Sequence, residues 1–207
     1  MRIQRSRRVW FLAALAAFIL FAIVTASFLS KEPGPMDLAI LGTTARLRFS
    51  FLNNLLLALT FLGSTPLILI QAFIVSVLLA SARDRMSMLQ LTLSSFGAIV
   101  MTELLKRFFA RERPTLVPVL MKATGYSYPS GHSLAIAATY VTLAIIAWSY
   151  ASSPRQRILA VTSAAAVIAV VAFSRVYIGV HYPSDTVSGI LLGTTWALLV
   201  AGILNIG

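Results

Sequence analysis

The chain has 207 residues, 58% of them hydrophobic and only 11% charged, with a mean hydropathy of +0.88. A water-soluble domain carries about a quarter of its residues charged, so an ordinary soluble globular domain is excluded, and the apolar content excludes a disordered chain. No cysteine is present, which removes disulfide scaffolds, Cys-type zinc sites, iron–sulfur clusters and thiol nucleophiles. The net charge of +11 comes from 17 Lys and Arg against 6 Asp and Glu. Arg2, Arg5, Arg7 and Arg8 precede the first apolar run, while Arg83 with Arg85 and Arg155 with Arg157 sit in short polar breaks. Basic residues in short breaks between long apolar runs are the positive-inside pattern of a membrane protein; no basic stripe on a polar face points to nucleic acid.

A spanning helix needs about 20 mostly apolar residues. Val9 to Leu29 is the first candidate; this apolar stretch of 21 residues exceeds the roughly 7–15 of a signal-peptide h-region, which favours an uncleaved span. Lys31 to Ser50 is more polar, and Met36 to Leu47 reads as a short interfacial helix. Phe51 to Ala82 is broken by Gly63-Ser64-Thr65-Pro66, leaving Phe51 to Leu62 as a short or kinked lead-in and Pro66 to Ala82 as span 2. Proline in a first helical turn costs no hydrogen bond. Span 3 runs from about Met88 to Phe109, and the polar loop Ala110 to Pro129 follows. Span 4 begins near Ser130 and ends near Tyr150, span 5 covers about Ile158 to Val176, and span 6 about Asp185 to Leu204. Gly189 and Gly193 form a GxxxG pair in span 6, a pattern of close helix packing. Trp10, Trp148 and Trp196 read as span or interface residues. The first 50 residues read as an anchor span and outer segment and residues 51–207 as a catalytic bundle, together one integrated domain. Six spans put both termini on the side of the Arg-rich breaks, the cytoplasm, and put Lys31–Ser50, Ala110–Pro129 and Tyr177–Ser184 on the other.

Ionisable residues near membrane depth are functional candidates by default. Glu103, Lys106 and Arg107 lie at the outer end of span 3, with Arg111, Glu112 and Arg113 next in the loop. His132 opens span 4, Arg175 closes span 5, and His181 and Asp185 bracket the entry to span 6. Arg107 reads as a snorkelling helix-end cation. Lys106, Arg113 and Arg175 supply a cationic pocket suited to phosphate. Pro129-Ser130-Gly131-His132 opens a helix, whose free N–H groups and positive dipole end attract an anion; Ser130 can cap it, and Gly131 permits close backbone approach. Two imidazoles beside a phosphate suggest phosphoryl transfer, one ring attacking phosphorus and the other protonating the leaving oxygen. Asp185 can hold the His181 Nδ1–H and leave Nε2 free, which favours His181 as the attacking ring. His132, with no carboxylate close in sequence, is then the better candidate acid, though the residues alone leave this a preference. No carboxylate cluster with metal-ligand spacing is visible, so the cations would neutralise charge without metal.

Lys106-(six residues)-Arg113-Pro114, Pro129-Ser130-Gly131-His132 and Ser174-Arg175-(five residues)-His181-(three residues)-Asp185 together resemble the three-part signature of the type 2 phosphatidic acid phosphatase (PAP2) superfamily. That superfamily includes bacterial phosphatidylglycerophosphate and undecaprenyl-diphosphate phosphatases and shares its site architecture with vanadium haloperoxidases. The resemblance covers about Phe51 to Leu204 and shows no departure from the pattern. It implies an all-α membrane protein of six transmembrane helices and a lipid phosphatase needing no cofactor or metal. By position it implies His181 as nucleophile, Asp185 as its partner and His132 as general acid, with Lys106, Arg113, Ser130, Gly131 and Arg175 binding phosphate.

Other readings are an anion or lipid transporter, a vanadate-dependent haloperoxidase-like enzyme and a non-catalytic lipid binder. A transporter would carry its charges near the midplane, whereas here they gather at one end; known haloperoxidases are largely soluble; and every catalytic position is filled. The expected partners are a lipid phosphate and the bilayer. Phosphatidylglycerophosphate, phosphatidic acid, undecaprenyl diphosphate and lipid A phosphates remain open as substrates, with Lys31–Ser50, including Arg46 and Arg48, and Ala110–Pro129 expected to shape the choice.

Overall fold

The computed structural model describes residues 2–27 and 33–204, with side chains from Arg7 onward. The last residues of the first expected span, Phe28 and Leu29, and Lys31 lie outside the described residues, as do the side chains of Arg2 and Arg5. Among the described residues the fold is all-α, with eight helices and no strand. They are α1 (Arg2–Ala26), α2 (Pro35–Arg46), α3 (Ser50–Thr60), α4 (Thr65–Ser81), α5 (Arg85–Phe109), α6 (Gly131–Tyr150), α7 (Pro154–Tyr177) and α8 (Pro183–Leu204), with a 3-10 turn at Phe61–Gly63 between α3 and α4.

Five helices, α1 and α5 to α8, are each long and apolar enough to cross a membrane, and the α3–α4 pair, bent by 55°, makes a sixth when counted as one broken span. The bend falls on Gly63-Ser64-Thr65-Pro66, as its composition dictates: Ser64 adopts an extended conformation, and Pro66 sits in the first turn of α4 where its missing N–H costs nothing. Large apolar side chains point outward on every span, among them Leu12 (66% exposed), Phe73 (70%), Phe108 (79%) and Leu159 (66%). Such a belt is stable only against hydrocarbon.

Helix α6 is the axis of the bundle. Its residues Ser133–Thr139 are all buried, and it packs against α5, α7 and α8. The GxxxG pair makes the closest of these contacts: a Cβ at Gly189 would lie 2.7 Å from the Ser130 carbonyl oxygen, and one at Gly193 would collide with the Leu134 carbonyl oxygen. Two helix starts differ from expectation. The polar break before span 5 is partly helical, because Ser153 and Gln156 form a reciprocal capping box and Pro154 begins α7. Helix α8 begins at Pro183, two residues before the expected start at Asp185, so Ser184 lies in its first turn.

The two ends of the bundle differ in chemistry. At one end the α4–α5 turn meets the end of α6, where Tyr150 donates to Asp84 Oδ2 (2.7 Å), and the Arg157 guanidinium lies over Trp148 (5.4 Å). Phe11 of α1 lies beside Gly202 of α8 there. An apolar cavity of about 580 Å³ opens near that end, lined by residues including Trp10, Val141, Trp148, Val161 and Leu198; with no titratable side chain in its wall, it offers nothing for acid–base or anion chemistry. At the other end the loop 110–129 folds over the helix ends. Tyr128, fully buried, shares a hydrogen bond with Thr25 of α1 (2.7 Å) and stacks edge-on against Phe109 (4.9 Å), which fixes the approach to α6.

Candidate active site

Four helix ends meet under the loop 110–129. Helix α5 closes in a left-handed residue, Ala110, that turns the chain away from the bundle. Lys106 lies on its last turn, half-buried, while Arg107 beside it faces outward. Helix α6 starts at Gly131, and Ser130, fully buried, accepts from the Ser133 N–H (3.4 Å) and hydroxyl (3.0 Å). The Ser130 N–H donates to the Asp185 carbonyl (3.0 Å), tying the start of α6 to the first turn of α8. Gly131 serves packing as well as access: a Cβ there would meet Thr102 Cγ2 of α5 at 2.7 Å. The N–H groups of Gly131 and His132 have no acceptor within the helix.

His181 lies in the short turn between α7 and α8, 2% exposed. Its Nδ1 is 3.4 Å from Asp185 Oδ2, which also accepts the Tyr182 N–H (2.9 Å). Its Nε2 is 3.3 Å from Arg113 Nη1. A guanidinium only donates and a carboxylate only accepts, so both neighbours demand one tautomer: proton on Nδ1, lone pair on Nε2. Burial, and then the charges of Arg175, Arg113 and Lys106, hold the imidazole well below its ordinary pKa, so it is neutral in the free protein.

Arg113 is pinned by three carbonyls, those of Gly125, Thr124 and Val180 (each 2.9 Å). Arg175, 3% exposed, donates from Nη1 to Thr60 of α3 (2.9 Å); its buried Nε has no hydrogen-bond partner among the described residues. His132 is within electrostatic reach of Arg175, His181, Lys106 and Arg113, and Gly63 of the 3-10 turn lies against it, a Cβ there being 3.2 Å from both His132 Cβ and its carbonyl. All eight expected residues thus gather at one end of the bundle: two imidazoles, three cations, one carboxylate and a helix N-terminus. Among the described residues no group of three His, Asp or Glu side chains is placed to hold a metal. A tetrahedral oxyanion suits this set, with cations and N–H donors for its oxygens and an unprotonated ring nitrogen beside Arg113.

Several supporting contacts escape a reading of the sequence. Arg111 is 1% exposed and joins Asp37 of α2 (2.9 Å) to Asp185 (2.5 Å). Thr60 orients Arg175 from 115 positions away. Arg48 donates to the carbonyls of Tyr177 (2.6 and 3.0 Å) and Pro118 (2.6 Å), clamping the loop to the end of α7. The signal for Arg111 and Asp37 was only that each is a charge in an otherwise apolar neighbourhood.

Residues 87–205, more than half of the chain, match the PAP2 superfamily. Phosphatidylglycerophosphatase B of Bacillus subtilis is 29% identical over 91% of this chain and 93% of its own length. An undecaprenyl-diphosphatase of Sulfolobus acidocaldarius is 36% identical over 65% of this chain and 63% of its own. The crystal structure of a transmembrane PAP2-type phosphatidylglycerolphosphate phosphatase from Bacillus subtilis superposes with a TM-score of 0.84 at 25% identity, covering 92% of this chain and 94% of that one. The chain belongs to the PAP2 superfamily, and with its phosphatase relatives it is a hydrolase of phosphoric esters.

Proposed function

We propose that this chain is an integral membrane lipid phosphatase that removes a phosphate from a lipid monoester or diphosphate through a phosphohistidine at His181. The observation that carries the reading is the gathering of His181, His132, Lys106, Arg113, Arg175 and Asp185 at one end of a membrane-spanning bundle, around an Nε2 that its neighbours keep unprotonated. Lys106, Arg113, Arg175 and the N–H groups at the start of α6 bind the phosphoryl oxygens. His181 Nε2 attacks phosphorus, forming the P–N bond as the P–O bond to the lipid breaks. His132 gives its proton to the departing oxygen, then takes one from the water that cleaves the P–N bond and regenerates His181. Negative charge on the bound phosphate favours the imidazolium that this acid role requires. Asp185 supports the positive charge that grows on His181.

A phosphate pocket at the end of spanning helices suits a lipid headgroup, since the ends of such helices lie near the polar surface of a bilayer. Phosphatidylglycerophosphate, phosphatidic acid and undecaprenyl diphosphate are the substrates favoured, the first and last on the relatives' names. The arginines of the breaks, Arg83, Arg85, Arg155 and Arg157, occupy the end opposite the site, which by the positive-inside rule supports an extracytoplasmic site and cytoplasmic termini in the cell membrane. Purified protein in detergent is expected to release inorganic phosphate from these lipids in the presence of EDTA, and His181→Ala to release none. Release that persists in His181→Ala refutes the reading.

A further inference from the structure

We propose that Asp37 and Arg111 are positioning residues for His181, acting through Asp185. The inference rests on the phosphatase reading, in which the His181 ring must be held in one orientation. Arg111 Nη1 donates to Asp185 Oδ1 (2.5 Å) and Ser184 Oγ (2.8 Å), and Nη2 donates to Asp37 Oδ2 (2.9 Å). Asp37 in turn accepts from the Ser184 N–H (2.9 Å) and hydroxyl (2.6 Å). The guanidinium lies over the Tyr182 ring, 4.4 Å from its centroid. Asp37, Arg111 and Asp185 are 7%, 1% and 0% exposed, so water does not compete for these bonds.

A carboxylate has two oxygens and one freely turning bond. Arg111 fixes Oδ1 of Asp185, and that alone leaves Oδ2 aimed at the Tyr182 N–H and His181 Nδ1. Arg111 would swing with its loop unless something held its other arm, and Asp37 holds it. The chain of contacts therefore runs from α2 through the loop to α8 and the His181 ring. It also sets charge. Two carboxylates around one guanidinium leave the cluster net negative beside His181, which favours the imidazolium as the P–N bond forms. Asp37→Asn makes the cluster neutral and loosens the hold on Arg111, and with it the hold on Asp185 as acceptor for Nδ1–H.

The experiment compares His181→Ala, Asp37→Asn, Asp37→Glu and Ser184→Ala, using a short-chain phosphatidic acid in detergent. Asp37→Asn is expected to lower kcat about 10- to 100-fold, the cost of a small misplacement of reacting groups, with KM changed less than about 3-fold. Asp37→Glu, which restores the charge, recovers part of the loss. Nitrogen NMR of the two histidines is expected to show the His181 Nδ1–H tautomer in the native chain and a mixture in Asp37→Asn, a change that a merely structural role would not cause. If Asp37→Asn fails to fold, Ser184→Ala removes the bridging hydroxyl without stranding a charge and lowers kcat in the same sense. Native kcat in folded Asp37→Asn or, failing that, in Ser184→Ala, beside an inactive His181→Ala, overturns the positioning role alone. Activity retained in His181→Ala overturns the phosphatase mechanism beneath it.

Discussion

Gly189→Ala tests how finely the site depends on the contact between α6 and α8. The new Cβ would stand 2.7 Å from the Ser130 carbonyl oxygen, 2.9 Å from Ser133 Cβ and 3.1 Å from the Leu134 nitrogen, where ordinary contact begins at 3.4 Å. Two of these atoms are backbone and cannot rotate away, so α8 must retreat by about 0.7 Å (3.4 − 2.7). Gly189 lies one helical turn beyond Asp185 and directly beneath Ser130, so the wedge opens where His132 and His181 are brought together. Overpacking of this kind costs about 1–3 kcal/mol, and a misplacement approaching 1 Å costs up to about 100-fold in rate. Gly189→Ala is therefore expected to lower both Tm in detergent and kcat for phosphate release, kcat by about 10- to 100-fold. Gly42→Ala on α2, where a Cβ meets nothing within 4 Å, serves as the control and keeps native activity, with up to about 1 kcal/mol gained from helix propensity. Native kcat and Tm in Gly189→Ala would refute the claim that the α6–α8 contact sets the site.

Two other predictions concern charge and capping. Because the folded chain holds His181 well below its ordinary pKa, the unfolded chain binds a proton that the folded chain does not as pH falls below about 6.5; Tm is expected to drop from pH 7 toward pH 5, and His181→Asn to flatten that slope, so that an unchanged slope contradicts the assignment. Asp84 caps α5 through the Ser87 N–H (3.0 Å) and accepts from Tyr150 (2.7 Å), bonds that hold its carboxyl below the usual carboxylate range. Asp84→Ala is expected to cost about 0.5–2 kcal/mol with phosphate release intact below Tm, since the cap lies at the end opposite the site; a selective loss of activity would contradict that placement.

Hydropathy and breakers made the spans legible, and even the α3–α4 bend is written in Gly63-Ser64-Thr65-Pro66. The histidines, cations and Asp185 were legible because an ionisable group in an apolar chain has few dull reasons to be there, and because their spacing matched a known pattern. The supporting residues were hidden by distance along the chain. Asp37 and Arg111 meet across 74 positions, and Thr60 reaches Arg175 across 115; no local periodicity reports such pairs. Arg48 likewise spends its donors on the carbonyls of Tyr177 and Pro118, partners that its position in the chain does not announce. Ser184 fits the pattern of a helix cap, yet the helix begins one residue earlier and its hydroxyl joins Arg111 to Asp37.

Single-turnover trapping addresses the phosphohistidine most directly. Native protein mixed with a lipid carrying labelled phosphate, quenched in alkali where a P–N bond survives, is expected to carry label on the peptide containing His181 and to lose it as inorganic phosphate appears. Turnover with no label on the protein at any time, or label on a different residue, would contradict nucleophilic attack by His181.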